Sequence, residues 1–305
     1  MDKIAIIVLN WNTTELTKVT IDSLLKAKAS DFTFQIVLVD NGSKEECILE
    51  LEKTYKSNPL ITILKSNINN GYAEGNNIGI RWALSQEYEY IMIANSDIRV
   101  DPEFLNILYT NIKKSKKLFL APKIYFEKGY EFHKDRYLPS DLGKVFWAMG
   151  GKVDWSNVYA SNIAIDEVDK GQYNTLPATP DFISGCCFLV ESKIFKDLGL
   201  FDNRYYLYME DVDFSVRAKE NNYQLKIIPT SVIWHINSGS ASASSNIQDY
   251  FISRNRMLFS LYHTPLRTKF AIFRESIKIL FHGRKWQKVG IIDFYLNRFG
   301  KGSWQ

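Results

Sequence analysis

Two hydrophobic rhythms alternate along the first 124 residues. Short apolar runs recur at "IAIIVLN" (4–10), "FQIVLVDN" (34–41), "ITILKS" (61–66), "YIMIANSD" (90–97) and "LFLAPKIY" (118–125). Runs this continuous predict strands buried on both faces, as in a parallel sheet. Between them, "TELTKVTIDSLLKA" (14–27), "KEECILELEKTY" (44–55), "AEGNNIGIRWALSQ" (73–86) and "PEFLNILYTNIKK" (102–114) space their apolar residues as helices do. A strand–helix alternation of this kind predicts an α/β fold, with a mostly parallel sheet flanked by helices on both faces.

The rhythm breaks over 126–180, which is rich in Lys, Asp, Asn, Tyr and Gly. Loops are expected there, with a hairpin around "GGKVDW"; a segment of this length without periodicity suggests a lid or acceptor loop. Regular patterns then return. "CCFLV" (186–190) predicts a strand, and "SKIFKDLG" a helix closed by Gly199. "EDVDFSVRAKENN" predicts a further helix and "YQLKIIPTSVIWH" a strand, with helices of mixed amphipathicity from about 247. The expected organisation is a main domain over 1–246, in halves 1–124 and 125–246, and a C-terminal helical extension over 247–305.

Composition narrows the class. The 305 residues are 46% hydrophobic and 24% charged, enough for one large soluble domain with additions. Three cysteines, two of them adjacent at Cys186 and Cys187, make neither a disulfide framework nor a zinc pattern and fit a reducing compartment. The first apolar run ends too soon for a signal peptide, and no stretch approaches the ~20 apolar residues of a spanning helix. A cytoplasmic protein is therefore expected, with the sequons at Asn12 and Asn41 as chance matches. Charge is uneven. From Arg254 onward there are 11 Lys/Arg against Glu275 and Asp293, a local +9 that leaves −5 for the rest of a chain of net +4. No nucleic-acid partner is expected. The basic end, where "TPLRTKFAIFRESIKILF" mixes Phe, Ile and Leu with Lys and Arg, reads in two ways. It is either a packed helix pair with a solvated basic face or an interfacial helix on anionic lipid at the inner face of a membrane.

Candidate chemistry collects where predicted strands end: Asn10-Trp11-Asn12, Asp40-Asn41-Gly42-Ser43 and Asn95-Ser96-Asp97. Neighbouring parallel strands end on one side, so these groups would share the ligand-binding edge of the sheet. Asp40 reads either as an acceptor for ribose or base, or as the opening of a turn. Asp101 suits a helix start before Pro102, which leaves Asp97 open as a ligand or catalytic group. "NINNGYAEGNNIGI" would offer backbone N–H groups to a diphosphate, or would simply cap a helix. Glu210, Asp211 and Asp213 crowd a helix start. Asp213 is accounted for by Arg217 four residues on, leaving Glu210 and Asp211 as adjacent acids behind the aromatic run "RYYLYM". His235 follows the last strand beside a Ser/Gly-rich stretch.

In order and spacing, "VLNWN", "VLVDNGS", "NGYAEGNNIGI", "ANSD", "SGCCFLV", "YMEDVDFSVRAK", "WHINSGS" and "SRNRMLF" resemble the family-two glycosyltransferases of GT-A fold, most closely their bacterial rhamnosyltransferase-like branch. The resemblance covers about residues 3–262. It implies an inverting transfer from a nucleoside-diphosphate sugar, dTDP-L-rhamnose before UDP-hexose, to a hydroxyl of a growing glycan, such as a lipid-linked cell-surface polysaccharide. It implies that Asp40, Asn10, Asn41, the loop from Gly71 to Asn76 and Asn77, Asn95 and Ser96 serve the donor, with Arg254 approaching the diphosphate. Asp97 and His235 would hold Mn²⁺ or Mg²⁺, with Asn95 standing where the family's metal motif has its first Asp. Asp211 would be the general base, and Ser184, Gly185 and Glu210 would line the acceptor side. Two rivals are a catalytically silent relative that only binds, and a nucleotidyltransferase. The second lacks the basic glycine loop a triphosphate needs.

Overall fold

A computed structural model describes residues 1–174, 179–236 and 245–304 of the chain. The elements run β1 (Asp2–Asn10), α1 (Thr14–Leu24), β2 (Phe32–Asn41), α2 (Glu45–Tyr55), β3 (Ile61–Ser66), α3 (Gly71–Ser85), β4 (Tyr90–Asn95), β5 (Ile98–Val100), α4 (Phe104–Ile112) and β6 (Leu118–Phe126). After these come β7 (Phe146–Ala148), β8 (Gly151–Asp154), β9 (Tyr159–Asn162), β10 (Cys187–Glu191), α5 (Lys193–Leu198), α6 (Glu210–Glu220) and β11 (Gln224–His235). Three helices close the chain: α7 (Asn246–His263), α8 (Leu266–His282) and α9 (Lys285–Tyr295).

One large sheet has the order β3-β2-β1-β4-β10-β6-β11-β5, with β7 beside β6. Strands β3, β2, β1 and β4 pair in parallel, as do β6 and β11. Both faces of β1 are apolar because both are covered. Ile4, Ile6 and Val8 pack under α1, α2 and α4, while Ala5 and Ile7 pack under α3. Gly79 explains how closely α3 approaches, since a Cβ there would come within 2.6 Å of Ile7 Cγ2.

Two features depart from the expected alternation. Strand β10 runs antiparallel to both β4 and β6. Strand β5 is a three-residue piece antiparallel to the end of β11, in a stretch where no strand was expected. Both reversals matter for the site. The first sets Cys186 beside Asn95, whose N–H donates to the Cys186 carbonyl at 2.8 Å. The second pairs His235 with Ile98, one residue from Asp97. The hairpin around "GGKVDW" is present as β8–β9.

The C-terminal helices are not a detached appendage. Met257, Leu258, Phe259, Ile272 and Ile291 share a core with Val153, Phe182, Tyr205, Val212 and Val216 of the main body. Among the described residues, no helix is long and apolar enough to cross a membrane.

Candidate active site

The parallel strands β2, β1 and β4 end side by side, and their ends are knitted together. Asn10 is fully buried; its amide donates to Asp40 Oδ1 at 2.9 Å and to Ser43 Oγ at 3.1 Å, while its carbonyl accepts from Thr17 at 2.8 Å. The Thr13 and Ser96 hydroxyls, 3.3 Å apart, join β1 to β4. Over these ends lies a cleft of about 490 Å³. Its lining includes Trp11, Asn41, Gly71, Asn95, Ser96 and Asp97 from the sequence motifs.

Asp97 and His235 meet at one side of this cleft. His235 Nε2 stands 3.4 Å from Asp97 Oδ1, and the imidazole stacks 4.6 Å from the Trp147 ring. Among the described residues, Asp97 Oδ1 and His235 Nδ1 are buried without a hydrogen-bond partner. Buried polar atoms are normally satisfied, so an orphaned carboxylate oxygen beside an imidazole is the donor set of a cation site. Among the described residues no third His, Cys, Asp or Glu joins them. The pair is an incomplete cage that needs ligands from elsewhere. Residues 237–244, most of the Ser/Gly-rich stretch after His235, lie outside the described residues.

Asp211 stands just behind the cleft, held by Gly185, whose carbonyl accepts from the cleft-lining Tyr72 hydroxyl at 2.6 Å. A run of left-handed residues, Tyr206, Tyr208 and Met209, turns the chain sharply into α6. Non-glycine residues hold that conformation only where their surroundings impose it, and such strain collects at functional sites. The turn leaves Asp211 half-buried. Its Oδ2 accepts from Gly185 N–H at 2.9 Å and its Oδ1 from Val212 N–H at 2.8 Å. Burial raises its pKa, while those N–H groups restrain the rise. Glu210 is more deeply buried, with one orphaned oxygen; desolvation first, then the Asp211 charge, push its carboxyl well above the usual range. Burial thus disfavours the charged form of Glu210, which packs behind Asp211 instead of lining an open acceptor surface. Ser184 is half-exposed and Gly185 buried in the segment that meets Asp211.

Tyr72, which sequence reasoning passed over, joins the cleft to this segment. Its hydroxyl donates to the Gly185 carbonyl at 2.6 Å and lies 3.1 Å from Asn95 Oδ1. The Tyr72 phenol is raised well above its ordinary pKa by burial, then by Glu210 and Asp211, with Asp97 also contributing. The Cys186 thiol is raised by burial, then by Asp97, and also by Asp211. Tyr72 thus links the strand end at Asn95 to the Gly185 segment that holds Asp211.

Three expectations need correction. The first N–H groups of α3 are not free for a diphosphate, because Tyr72 and Ala73 N–H both donate to the Tyr206 carbonyl, at 2.6 and 3.2 Å. Gly71 is required there by its φ of +77°, and a Cβ would overlap the Tyr206 ring. Asn76 and Asn77 do not face the cleft. They are buried brackets, Asn76 donating to the Tyr72 carbonyl at 2.9 Å and Asn77 to the Phe201 carbonyl at 2.9 Å. Arg254 is fully buried rather than aimed at a ligand. Its guanidinium donates to the carbonyls of Gly300 (2.7 Å), Tyr205 (3.0 Å) and Arg204 (3.1 Å). Beside it, the Asn255 amide lies within 2.8–2.9 Å of the carbonyls of Tyr205, Leu207 and Tyr208. Together they brace the strained turn that delivers Asp211. Arg254→Ala should lower unfolding stability by about 3 kcal/mol or more, since buried carbonyls lose their donors. Urea unfolding would show this; loss of donor affinity with full stability would restore a direct ligand contact.

Asp40 is 2% exposed, with Oδ1 held by Asn10 and Oδ2 accepting from Ser43 N–H at 3.1 Å, so it stands behind the cleft wall. Two lining residues come from the C-terminal tail, Lys301 and Trp304. Trp304 packs 4.7 Å from Trp286, and Ser303 is tied to Asp293 by N–H and hydroxyl at 2.8 and 2.9 Å. Lys301 is the one cation lining the cleft among the described residues. No motif announces this tail. A second cavity of about 450 Å³, between Met149, Tyr173, Lys219, Tyr223 and Pro229, holds none of these groups.

The model of glycosyl transferase family 2 matches residues 5–199. The chain belongs to that family. A low-salt glycan biosynthesis hexosyltransferase, Agl10, of Haloferax volcanii is 25% identical over 264 residues, covering 85% of this chain and 76% of its own. The N-acetylglucosaminyl-diphospho-decaprenol L-rhamnosyltransferase of Mycobacterium tuberculosis is 23% identical, covering 68% of each. Among solved structures, GalNAc-T7 with UDP, GalNAc and Mn²⁺ superposes with a TM-score of 0.62 at 17% identity, over 90% of this chain and 55% of that one. The fold is thus of GT-A type, and the chain is a nucleotide-sugar glycosyltransferase of glycan biosynthesis.

Proposed function

We propose that this glycosyltransferase is metal-dependent and inverting. It would move a sugar from dTDP-L-rhamnose, or next a UDP-hexose, to a hydroxyl of a growing, lipid-linked glycan on the cytoplasmic side of a membrane. The observation that carries the reading is the pairing of His235 with Asp97, which lines the cleft; Tyr72, also in the lining, bonds the Gly185 segment that holds Asp211. The rhamnosyl choice draws support from the mycobacterial relative.

Asp97 Oδ1 and His235 are the groups that would hold Mn²⁺ or Mg²⁺, with donor diphosphate oxygens completing the shell. When bound, such an ion supplies positive charge to the departing nucleoside diphosphate. The chain's own residues do the rest. Trp11, 51% exposed at the cleft, offers a flat face to the base. Asp40, behind the wall, holds Asn10 and the Ser43 turn in place instead of touching the base or ribose itself. Lys301 takes the place first expected for Arg254 as the cation facing the diphosphate. Asp211, its oxygens aimed by Gly185 and Val212, removes the proton from an acceptor hydroxyl that attacks the anomeric carbon opposite the leaving group. One base and one displacement invert that carbon. Glu210, buried behind Asp211, is no second nucleophile.

The sign of the pH dependence follows. A base works only without its proton, and burial raises the Asp211 pKa, so activity should fall on the acid side at a pH above the ordinary aspartate value of about 3.9. A kcat/KM profile measures this; an acid limb at or below that value would contradict the assignment. The donor is tested by thermal shift with UDP- and dTDP-sugars plus Mn²⁺, since ligands of the native state raise Tm. The expected result is the largest shift with dTDP-L-rhamnose. A shift from a UDP-hexose alone would replace the donor, and none from any would refute the reading.

A further inference from the structure

Helix α8 turns an apolar stripe outward. Over its 17 residues, Leu266, Phe270, Phe273, Ile277 and Phe281 follow one another at spacings of four, three, four and four, and all are exposed, Leu266 by 82% and Phe281 by 72%. At 100° per residue these five fall within about 80° of one another on the helix. The opposite side, Thr268, Ile272 and Ser276, is buried against the body. The stripe therefore points away from the protein. Arg267, Arg274 and Lys278 are exposed along one flank of it. The one acid of the helix, Glu275, is turned inward to Arg256 at 3.0 Å. Exposed aromatic and aliphatic side chains in a continuous row are unusual for a soluble surface and mark an interaction site.

We propose that α8 is an interfacial helix that lies on an anionic lipid bilayer, its stripe entering the acyl boundary and its basic flank meeting lipid phosphates. The charge selects this occupant. A symmetric pairing of two copies through the stripe would bring two unneutralised basic flanks together. Anionic headgroups neutralise that flank while the acyl region takes the aromatic row. The sequence leaves open a packed helix pair and a lipid-docking helix; the two coexist here, because the packed side and the outward side of α8 are different. The inference stands apart from the transfer reaction, since binding to vesicles needs neither donor nor acceptor.

The test uses the full chain sedimented with phosphatidylcholine vesicles, with and without about one-third phosphatidylglycerol. The expected result is binding at least about tenfold stronger with the anionic lipid, weakened at high salt. Replacing Leu266, Phe270 and Phe281 together by Ser should cut anionic-vesicle binding about tenfold or more with little change in Tm, because those side chains are the most exposed of the stripe. In an otherwise native chain, Phe270→Trp adds emission that brominated lipid should quench. Vesicle binding equal in the serine variant, no binding by the native chain, or no added quenching at position 270 would overturn the proposal. So would a lipid-free dimer that the serine variant converts to monomer, which would assign the stripe to a second copy.

Discussion

Asp211→Asn is expected to lower turnover by about 10²–10⁴-fold, the range usual for loss of a general base. The shape of the side chain survives, but not its capacity to take a proton. A structural cost accompanies the change and has to be separated from the chemical one. Both Asp211 oxygens accept backbone N–H bonds, from Gly185 and Val212. An amide accepts through one atom only, so one N–H loses its partner, at about 1–3 kcal/mol. That loss appears in Tm and is shared by every property of the site. The chemical loss appears in turnover per bound donor. Donor affinity, measured by calorimetry with UDP or dTDP and Mn²⁺, should change little, because Asp97, Asn41 and Trp11 rather than Asp211 line the donor cleft. Affinity collapsing while turnover per bound donor survives would move Asp211 into the donor site.

The sequence made the first half of this site legible for a physical reason. Strands β1 and β4 and the C-terminal half of β2 are buried on both faces, so their apolar runs are unbroken. The polar residue that ends each run stands out. Asn10, Asp40 and Asn95 were found in this way, and parallel pairing of β2, β1 and β4 puts them together. The second half depends on reversals that leave little local trace. Strand β5 is three residues long, and its partner β11 lies some 130 positions later, so the pairing that sets His235 against Asp97 is non-local. Antiparallel β10 looks like any other apolar run. Arg254 was misplaced because a charged residue is presumed to face solvent or ligand, whereas here backbone carbonyls of a strained turn absorb it. The tail "KGSW" carries no periodicity, and only its anchoring through Asp293 and Trp286 brings Lys301 to the cleft. Residues read as chemistry thus divided in two. Among the described residues, Asp97, His235 and Asp211 kept unmet or strained polar groups, while Asn77 and Arg254 had theirs satisfied by the fold; Asn76 has its amide N–H bonded but an unmet Oδ1, away from the cleft.

Removal of the cation should abolish transfer, and Mn²⁺ or Mg²⁺ should restore it after EDTA. The reasoning starts from two orphaned atoms. Among the described residues, Asp97 Oδ1 and His235 Nδ1 are buried without partners, and leaving such groups unmade is costly unless another species satisfies them. A divalent cation would meet the Asp97 oxygen, and Asp97 is the only carboxylate lining the cleft among the described residues. Asp97→Ala should therefore lose most metal-dependent binding of UDP or dTDP, the probe being a nucleotide titration at fixed Mn²⁺. Binding of the corresponding nucleoside, which has no diphosphate, should change much less. His235→Ala should act in the same direction, because the imidazole sits 3.4 Å from that oxygen. It should act more weakly, since a neutral ligand contributes less charge than a carboxylate. The two losses should not add, because both variants remove one shared ion. Full activity in EDTA would end the metal assignment. Additive losses from Asp97→Ala and His235→Ala would end the claim that one ion is shared, even with metal dependence intact.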